Sequence, residues 1–220
     1  MSAWLAYEVW TWPRIGALAT RPPRTTAFID RYRAEQRATG RDDRVQWTWV
    51  PYAAISMHVK RAVVVAEDIG FFAHGGVDLD EVEDALERAV ERKELPRGAS
   101  TITQQLAKNL WLTPSRSPLR KGREAILAWQ LERTLTKRRI LELYLNVAEF
   151  GPGCYGVEAA ARRYFGKSAA DVASLEAAQL AASLPNPRAW HPGSTGRAYQ
   201  AHVARILRRV ERADWLGRLL

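Results

Sequence analysis

Residues 98–124 constrain the fold most, because they predict two helices joined by a short polar loop. Ser100 follows a Gly-Ala turn and is the expected N-cap of a first helix that runs to about Leu112. Pro114 ends that helix. A Ser-Pro pair then begins the second helix, since proline suits the first helical position. The chain is therefore predicted to be organised around a helical pair.

The first of these helices has two unlike faces. Ile102, Leu106 and Leu110 recur every four residues and should face the core. A second face carries polar residues at spacings of three and four. Helix faces that contact solvent usually carry Glu, Lys and Arg. Two neighbouring glutamines beside one lysine therefore favour a surface that binds a polar ligand. The alternative is an ordinary solvent-exposed face. The residues of this polar face are Thr101, Gln104, Gln105 and Lys108.

Basic residues gather around the start of the second helix. Cations at a helix N-terminus oppose the macrodipole, which predicts an anionic partner such as a phosphate or diphosphate. Glu124 is spaced to pair with Arg120 or Lys121. The alternative is a basic surface patch, since the net charge of the chain is +9. The basic residues are Lys108, Arg116, Arg120, Lys121 and Arg123.

A valine run that begins at Val63 ends in two carboxylates, Glu67 and Asp68. A carboxylate at the end of an apolar helix is partly desolvated, which raises its pKa toward general acid or base use. Adjacent side chains on a helix diverge by about 100°. Glu67 is therefore predicted to face a cleft while Asp68 braces the backbone or His74. The alternative is an ordinary helix end with solvated acids.

The rest of the chain predicts one all-α domain with at most a short strand pair. Its 220 residues, 47% of them hydrophobic, are enough for one sizeable core. The single cysteine, Cys154, excludes an internal disulfide. Segment 125–131 is apolar nearly all round and is predicted to be a central buried helix. Further helices are predicted over residues 57–69, 78–93, 136–146, 157–165, 175–183 and 196–212.

Five motifs follow one another in a characteristic order. They are EDxxFxxHxGxD at 67–78, GASTIxQQxxKN at 98–109, RKxxE at 120–124, KxxILExYLN at 137–146 and YFGK at 164–167. In this order the chain resembles the lysozyme-like peptidoglycan glycosyltransferases that polymerise lipid II. The resemblance covers about residues 50–209. Because no room is left for a transpeptidase domain, the chain is similar to the monofunctional biosynthetic branch.

The resemblance implies a two-lobed helical domain with a cleft between the lobes. Glu67 matches the general base that deprotonates the acceptor hydroxyl. Glu124 matches the second essential glutamate, which helps the diphosphate leave, directly or through a cation. The implied substrate-binding residues are Ser100, Thr101, Gln104, Gln105, Lys108, Asn109, Arg116, Arg120 and Lys121. The implied supporting residues are Asp68, Phe71, His74, Glu142, Tyr144 and Asn146.

The implied reaction joins lipid II units into β-1,4-linked glycan with inversion and releases undecaprenyl diphosphate. By analogy with inverting hydrolases, the two carboxylates should lie about 6.5–9.5 Å apart or more. Mg²⁺ or another divalent cation near Glu124 is a family-level expectation, and no organic cofactor is expected. The expected partners are lipid II, the growing glycan, the membrane surface and proteins of cell-wall synthesis or division.

The resemblance also implies a location on the outer, periplasmic face of the inner membrane and a role in cell shape. Residues 1–49 are predicted to be a membrane-proximal segment and linker, 50–212 the catalytic domain and 213–220 a C-terminal tail. No apolar run reaches the length of a membrane span, so a truncated anchor and a peripheral protein both stay open. The aromatic start and the pair Phe71 and Phe72 are the expected membrane contacts.

Two other classes of protein compete with this interpretation. A lytic, lysozyme-like muramidase would share the helical fold and one catalytic glutamate, but its substrate has no diphosphate to engage the cations near Glu124. A nucleic-acid-binding module is suggested by the positive charge. No nucleic-acid-binding motif is present, and the pattern centres on carboxylates that repel phosphate backbones, so no nucleic-acid partner is expected.

Overall fold

The structure is a computed structural model that describes residues 12–76, 100–115 and 117–220. The predictions for the aromatic start over 1–11, for the helix over 78–93 and for Arg116 lie outside these residues. The described part is helical with little sheet, and the predicted all-α class is confirmed. Its helices are α1 (Ala27–Ala38), α2 (Met57–Glu67), α3 (Ile102–Trp111), α4 (Pro118–Thr134), α5 (Lys137–Val147), α6 (Val157–Phe165), α7 (Ser174–Ser183) and α8 (Arg197–Glu211).

Helix α2 is the centre of one half of the core. The Ser56 hydroxyl caps it by accepting a hydrogen bond from the N–H of His58. Val59 and Val63 are fully buried as α2 packs against α7 and α8. Each buried valine contributes roughly 1.5–3 kcal/mol relative to an exposed one. The helix ends at Glu67, short of the predicted residue 69, because the backbone of Asp68 leaves the helical region.

Helix α3 is the centre of the other half and packs against α4 and α5. Its apolar face is buried as predicted, with Ile102, Leu106 and Leu110 in the core. Helix α5 begins after Thr136, whose hydroxyl accepts a hydrogen bond from the N–H of Arg139, so that predicted cap is confirmed. The three helices form the frame on which the polar face of α3 is held.

The prediction that segment 125–131 forms a central helix buried on all sides is wrong. Leu127 and Leu131 of α4 are buried, but the side chains of Ile126 and Trp129 are exposed. Helix α4 covers α3 with one face, and Trp12 and the 3₁₀ helix at Ile15–Ala19 pack on another part of it, which leaves Ile126 and Trp129 uncovered by the described residues. In that part of the chain no helix is long and apolar enough to cross a membrane.

The sheet has three short strands rather than one strand pair. They are β1 (Gln46–Trp47), β2 (Glu149–Gly151) and β3 (Cys154–Tyr155), in the order β1-β3-β2. β1 runs parallel to β3, and β2 runs antiparallel to it. Gly156 follows β3 with a φ of +79°, and a Cβ there would lie 2.6 Å from the carbonyl oxygen of Asn146. Glycine is therefore required at this close approach.

Both ends of the described chain pack on the core. Short 3₁₀ helices at Ile15–Ala19 and Asp214–Arg218 bury Leu18 and Leu216. The hydroxyl of Tyr52, in a third 3₁₀ helix, donates to the carbonyl oxygen of Leu220 at 2.9 Å. A fourth lies at Ala169–Asp171. Residues 213–220, expected to be a tail, are thus part of the packed structure.

The side chain of Asn146 joins the end of α5 to the segment that follows β1. Its amide donates to the carbonyl oxygen of Val50 and accepts from the N–H of Val50, both at 2.9 Å. It also donates to the carbonyl oxygen of Glu142 at 2.8 Å. Asn146 is completely buried, so the supporting role expected for it agrees with its contacts.

Replacing Asn146 by alanine should lower the free energy of unfolding by roughly 2–4 kcal/mol. The change leaves two main-chain groups of Val50 without partners, and an unsatisfied buried group costs about 1–3 kcal/mol. Urea denaturation measures the loss. Asn186→Ala, at an exposed position, is the matched control and should change stability by less than about 0.5 kcal/mol. Equal effects of the two substitutions would contradict the assignment.

Candidate active site

The buried carboxylate of Asp68 ties the end of α2 to the start of α3. One oxygen lies 2.9 Å and the other 3.1 Å from Nε2 of His74. The second oxygen also accepts a hydrogen bond from the N–H of Ile102 at 2.9 Å. Asp68 therefore has the bracing role that the sequence predicted, and the neighbouring Glu67 is held at the point where α2 meets α3.

Glu67 accepts a hydrogen bond from a neutral donor on the polar face of α3. Nε2 of Gln105 lies 2.7 Å from Oε2 of Glu67. The hydroxyl of Tyr144 donates to Oε1 of Gln105 at 2.8 Å, which turns the amide nitrogen toward the carboxylate. Burial raises the pKa of Glu67, whereas the Gln105 hydrogen bond and the charge of Lys108 act in the opposite direction. A carboxylate in this setting is suited to accept a proton.

Glu124 has the opposite environment, because it is surrounded by cations. It is buried on α4 and forms ion pairs with Arg120 and with Lys121, whose Nζ lies 2.6 Å away. Nζ of Lys121 also lies 3.1 Å from the hydroxyl of Ser100. Arg120 and Lys121, two of the cations predicted at the start of this helix, are thus held in fixed positions by the carboxylate of Glu124.

Lys108 connects the two carboxylates electrostatically. Burial lowers the pKa of Lys108, and the negative charges of Glu124 and Glu67 partly oppose that effect. The ammonium group is therefore close enough to interact with both acids. Glu67, Lys108 and Glu124 are thus coupled by charge, with a hydrogen-bonded carboxylate at Glu67 and paired cations at Glu124.

Two members of the predicted polar face have structural roles instead. Thr101, not Ser100, is the N-cap of α3, and it forms a reciprocal capping box with Gln104. Both side chains are buried, and the Thr101 hydroxyl also donates to the carbonyl oxygen of Gly76. The prediction that these two residues share a ligand-facing surface with Gln105 is wrong, because their polar atoms are used to begin the helix.

Phe71 is a core residue, so the prediction that it contacts the membrane is wrong. Its side chain is completely buried and packs edge-on against Phe72 with ring centroids 5.0 Å apart. Nζ of Lys137 lies 4.5 Å from the Phe71 ring centroid and donates to the carbonyl oxygen of His74. The loop after Glu67 is therefore packed against α5, and Phe72 is only partly exposed.

The remaining supporting residue, Glu142, pairs with Arg139 at 2.9 Å on α5. The other predicted contact, Asn109, is nearly buried but lines a cleft of about 390 Å³ together with Gln105, Lys108 and Tyr144. Arg116 lies outside the described residues. The structure thus brings Gln105, Lys108 and Asn109 to one cleft wall and places Ser100, Arg120 and Lys121 around Glu124.

The opposite wall of the cleft was missed by the sequence analysis. It is formed by residues of α1, of the β2–β3 hairpin and of the loop after α7. The sequence predicts the proline-rich loop at 185–192 only as a break between helices. An asparagine and an arginine between its prolines are the signal that indicates a rigid binding loop. The residues of this wall include Phe28, Arg31, Glu149, Tyr155, Asn186 and Arg188.

The residues around Glu124 do not by themselves form a divalent-cation site. Mg²⁺ requires several oxygen ligands, whereas the carboxylate of Glu124 is paired with Arg120 and Lys121. No group of three or more His, Cys, Asp or Glu residues suited to a metal occurs in the described ranges. The divalent cation expected near Glu124 therefore stays a prediction.

Comparison with known proteins identifies relatives over nearly the whole chain. A family model described as Transglycosylase matches residues 34–211. The biosynthetic peptidoglycan transglycosylase of Thiobacillus denitrificans is 47% identical over 205 residues, which cover 93% of this chain and 88% of the relative. The protein of the same description from Azoarcus sp. is 48% identical over 212 residues, covering 96% of this chain and 90% of that relative.

The raised pKa of Glu67 predicts a pH-dependent effect on stability. Because burial raises this pKa above its ordinary value of 4.5, the folded state holds the proton more tightly than the unfolded state. That contribution is fully present below the ordinary value and is lost as the pH rises through the raised pKa. Glu67→Gln, which stays neutral, should therefore be more stable than the parent protein at about pH 8.

The stability that Glu67→Gln gains over the parent protein should shrink as the pH falls toward about 4, because Glu67 is then largely protonated in both the folded and the unfolded state. Urea unfolding at the two pH values measures it. Glu211→Gln, at the exposed end of α8, is the control and should give no such gain. A Glu67→Gln variant that is less stable than the parent by the same amount at both pH values would contradict the buried-carboxylate assignment.

Proposed function

Because this chain belongs to the transglycosylase family, whose all-α lysozyme-like fold it has, we propose that it polymerises lipid II into β-1,4-linked glycan. The broader activity, that of a peptidoglycan glycosyltransferase, follows from the family. The observation that carries the finer proposal is a desolvated Glu67 and a cation-bound Glu124 that both interact with the charge of Lys108. Such a site meets the two needs of a reaction that activates a hydroxyl and expels a diphosphate.

Glu67 acts as the general base of this reaction. Its carboxylate takes the proton of the acceptor 4-hydroxyl as that oxygen forms a bond to the anomeric carbon of the donor. The raised pKa supports the role, since a stronger base accepts the proton more readily. Gln105 donates a hydrogen bond to the carboxylate and is itself oriented by the hydroxyl of Tyr144. Attack opposite the leaving group gives inversion, with the carboxylate spacing of about 6.5–9.5 Å or more expected for it.

The cations around Glu124 stabilise the leaving diphosphate. As the bond from the anomeric carbon to the diphosphate oxygen breaks, negative charge develops on that oxygen. Arg120 and Lys121 are held in place by Glu124 before the substrate arrives, which is the arrangement that electrostatic stabilisation of a transition state requires. Lys108 supplies a third positive charge that interacts with both acids. A muramidase has no use for these cations, because its leaving group is a sugar hydroxyl.

We include no transpeptidase activity in the proposal. The described helices pack into one hydrophobic core, and the cleft on that core is lined by residues of two of the motifs, Gln105, Lys108, Asn109 and Tyr144.

A lipid II polymerisation assay tests the proposal. The parent protein should convert labelled lipid II to glycan, and Glu67→Gln should reduce the rate by about 10²–10⁴-fold, the usual contribution of a general base. Glu211→Gln is the matched control and should keep the parent rate. Release of soluble fragments from preformed peptidoglycan, without polymerisation of lipid II, would instead identify a lytic muramidase.

We also propose that the outer face of α4 contacts the membrane, in place of the buried Phe71. Leu119, Ile126 and Trp129 lie on this helix with 75%, 51% and 51% of their surfaces exposed. The guanidinium of Arg133 lies 5.0 Å from the ring centroid of Trp129. Apolar and aromatic side chains beside arginine suit an interface with anionic lipid. Lipid II is anchored in the bilayer, so this orientation would put the cleft at the periplasmic surface of the inner membrane.

Binding to vesicles that contain phosphatidylglycerol tests this surface. Leu119→Ser with Ile126→Ser should weaken binding at least tenfold, because about 0.8 kcal/mol is lost for each CH₂ group no longer buried in lipid. Leu175→Ser with Leu219→Ser removes two other exposed leucines and is the control. Binding that falls equally in both double variants, or in neither, would contradict the proposed membrane face.

A further inference from the structure

Beside the cleft that Gln105 and Lys108 line lie four charged side chains that the proposed chemistry does not use. Glu35 of α1 lies between two arginines, with Nε of Arg31 at 2.6 Å and Nη2 of Arg188 at 3.1 Å. Nε of Arg188 lies 3.9 Å from Oε1 of Glu149. Arg31, Arg188 and Glu149 all line the cleft that also contains Gln105 and Lys108. The cluster is therefore continuous with the catalytic wall.

Glu149 only partly neutralises the two arginines. Its side chain is 10% exposed, and Oε1 is buried without a hydrogen-bond partner. Burial raises the pKa of Glu149 to about 7, although the charge of Arg188 opposes the shift. The Arg31 and Arg188 hydrogen bonds lower the pKa of Glu35, which stays ionised. Near neutral pH, two guanidinium groups thus face one full carboxylate and one that is partly protonated, which leaves positive charge for a ligand.

Both arginines can be reached from solvent. The side chains of Arg31 and Arg188 are 49% and 59% exposed. A guanidinium has five N–H donors in a planar fork that matches a carboxylate. The contacts with Glu35 use one nitrogen of each arginine. A carboxylate that entered this part of the cleft could therefore bind both side chains without displacing Glu35.

We propose that Arg31 and Arg188 form a carboxylate-binding subsite for the peptide arm of the substrate. This inference rests on the proposed function, and it assigns a specificity role to residues outside the catalytic wall. The sugar rings of lipid II carry no charge, and its diphosphate is matched by Arg120 and Lys121 beside Glu124. The peptide carboxylates are the anionic groups that remain, and arginine pairs are suited to them.

Two forms of lipid II test the subsite, one with free peptide carboxylates and one with the same carboxylates converted to amides. The parent protein should use the acidic form with a kcat/KM about tenfold higher, mainly through KM, which corresponds to loss of one charge-assisted hydrogen bond. This measurement needs no variant. Equal use of the two substrates by an active parent protein would overturn the subsite and leave the proposed function intact.

The double variant Arg31→Gln with Arg188→Gln should lower that preference about tenfold. Arg44→Gln with Arg162→Gln removes two other exposed arginines that also pair with carboxylates, so it matches the change in charge and should keep the preference. Urea unfolding confirms that both double variants are folded. A preference that survives in the Arg31 and Arg188 variant would overturn the assignment of these residues. Failure of the parent protein to polymerise either substrate would overturn the proposed function itself.

Discussion

The contact between Asp68, His74 and the N–H of Ile102 is the constraint on which the site depends. It joins two helices that belong to different halves of the core, and it does so one residue from Glu67. A buried carboxylate is costly unless its oxygens are paired, so this geometry persists only while all three partners are in place. The distance between Glu67 and Gln105 is a consequence of that junction and not a property of either helix alone.

The two glutamates lie in different environments, and the proposed mechanism gives them different roles. Glu67 receives a hydrogen bond from an amide, and burial raises its pKa. Glu124 is enclosed by an arginine and a lysine. A carboxylate beside neutral donors is prepared to gain a proton, whereas one beside cations serves to hold those cations in place. Separating two acids in this way is a general means of placing acid–base and electrostatic tasks in one site.

Much of the fold and of one cleft wall could be predicted from the sequence, because the information was local. Thr136 as a cap and the buried face of α3 follow from residue types at helical spacing. The Thr101 cap could also have been found, since glutamine follows three residues later in a capping-box pattern. Ser100 is an equally good capping residue by type, so residue type alone favours neither of the two positions.

The remaining features depend on tertiary packing, which no local pattern contains. Whether Ile126 and Phe71 are exposed is decided by which elements cover them. Ile126 is exposed although burial is expected from the sequence, and Phe71 is buried although exposure is expected. The second cleft wall joins α1 to a loop more than 150 positions away, through the Arg188 and Glu35 pair. Separations of that size leave no periodic trace in a sequence.

The position of α1 has a consequence for how the cleft can be altered. Phe28 and Arg31 contribute to the cleft from a helix that carries none of the five motifs. A change in α1 would therefore alter the width and the charge of the cleft while Glu67, Glu124 and their hydrogen-bond partners stay as they are. The shape of the cleft and the chemistry of its polar residues are in this sense separable properties of the chain.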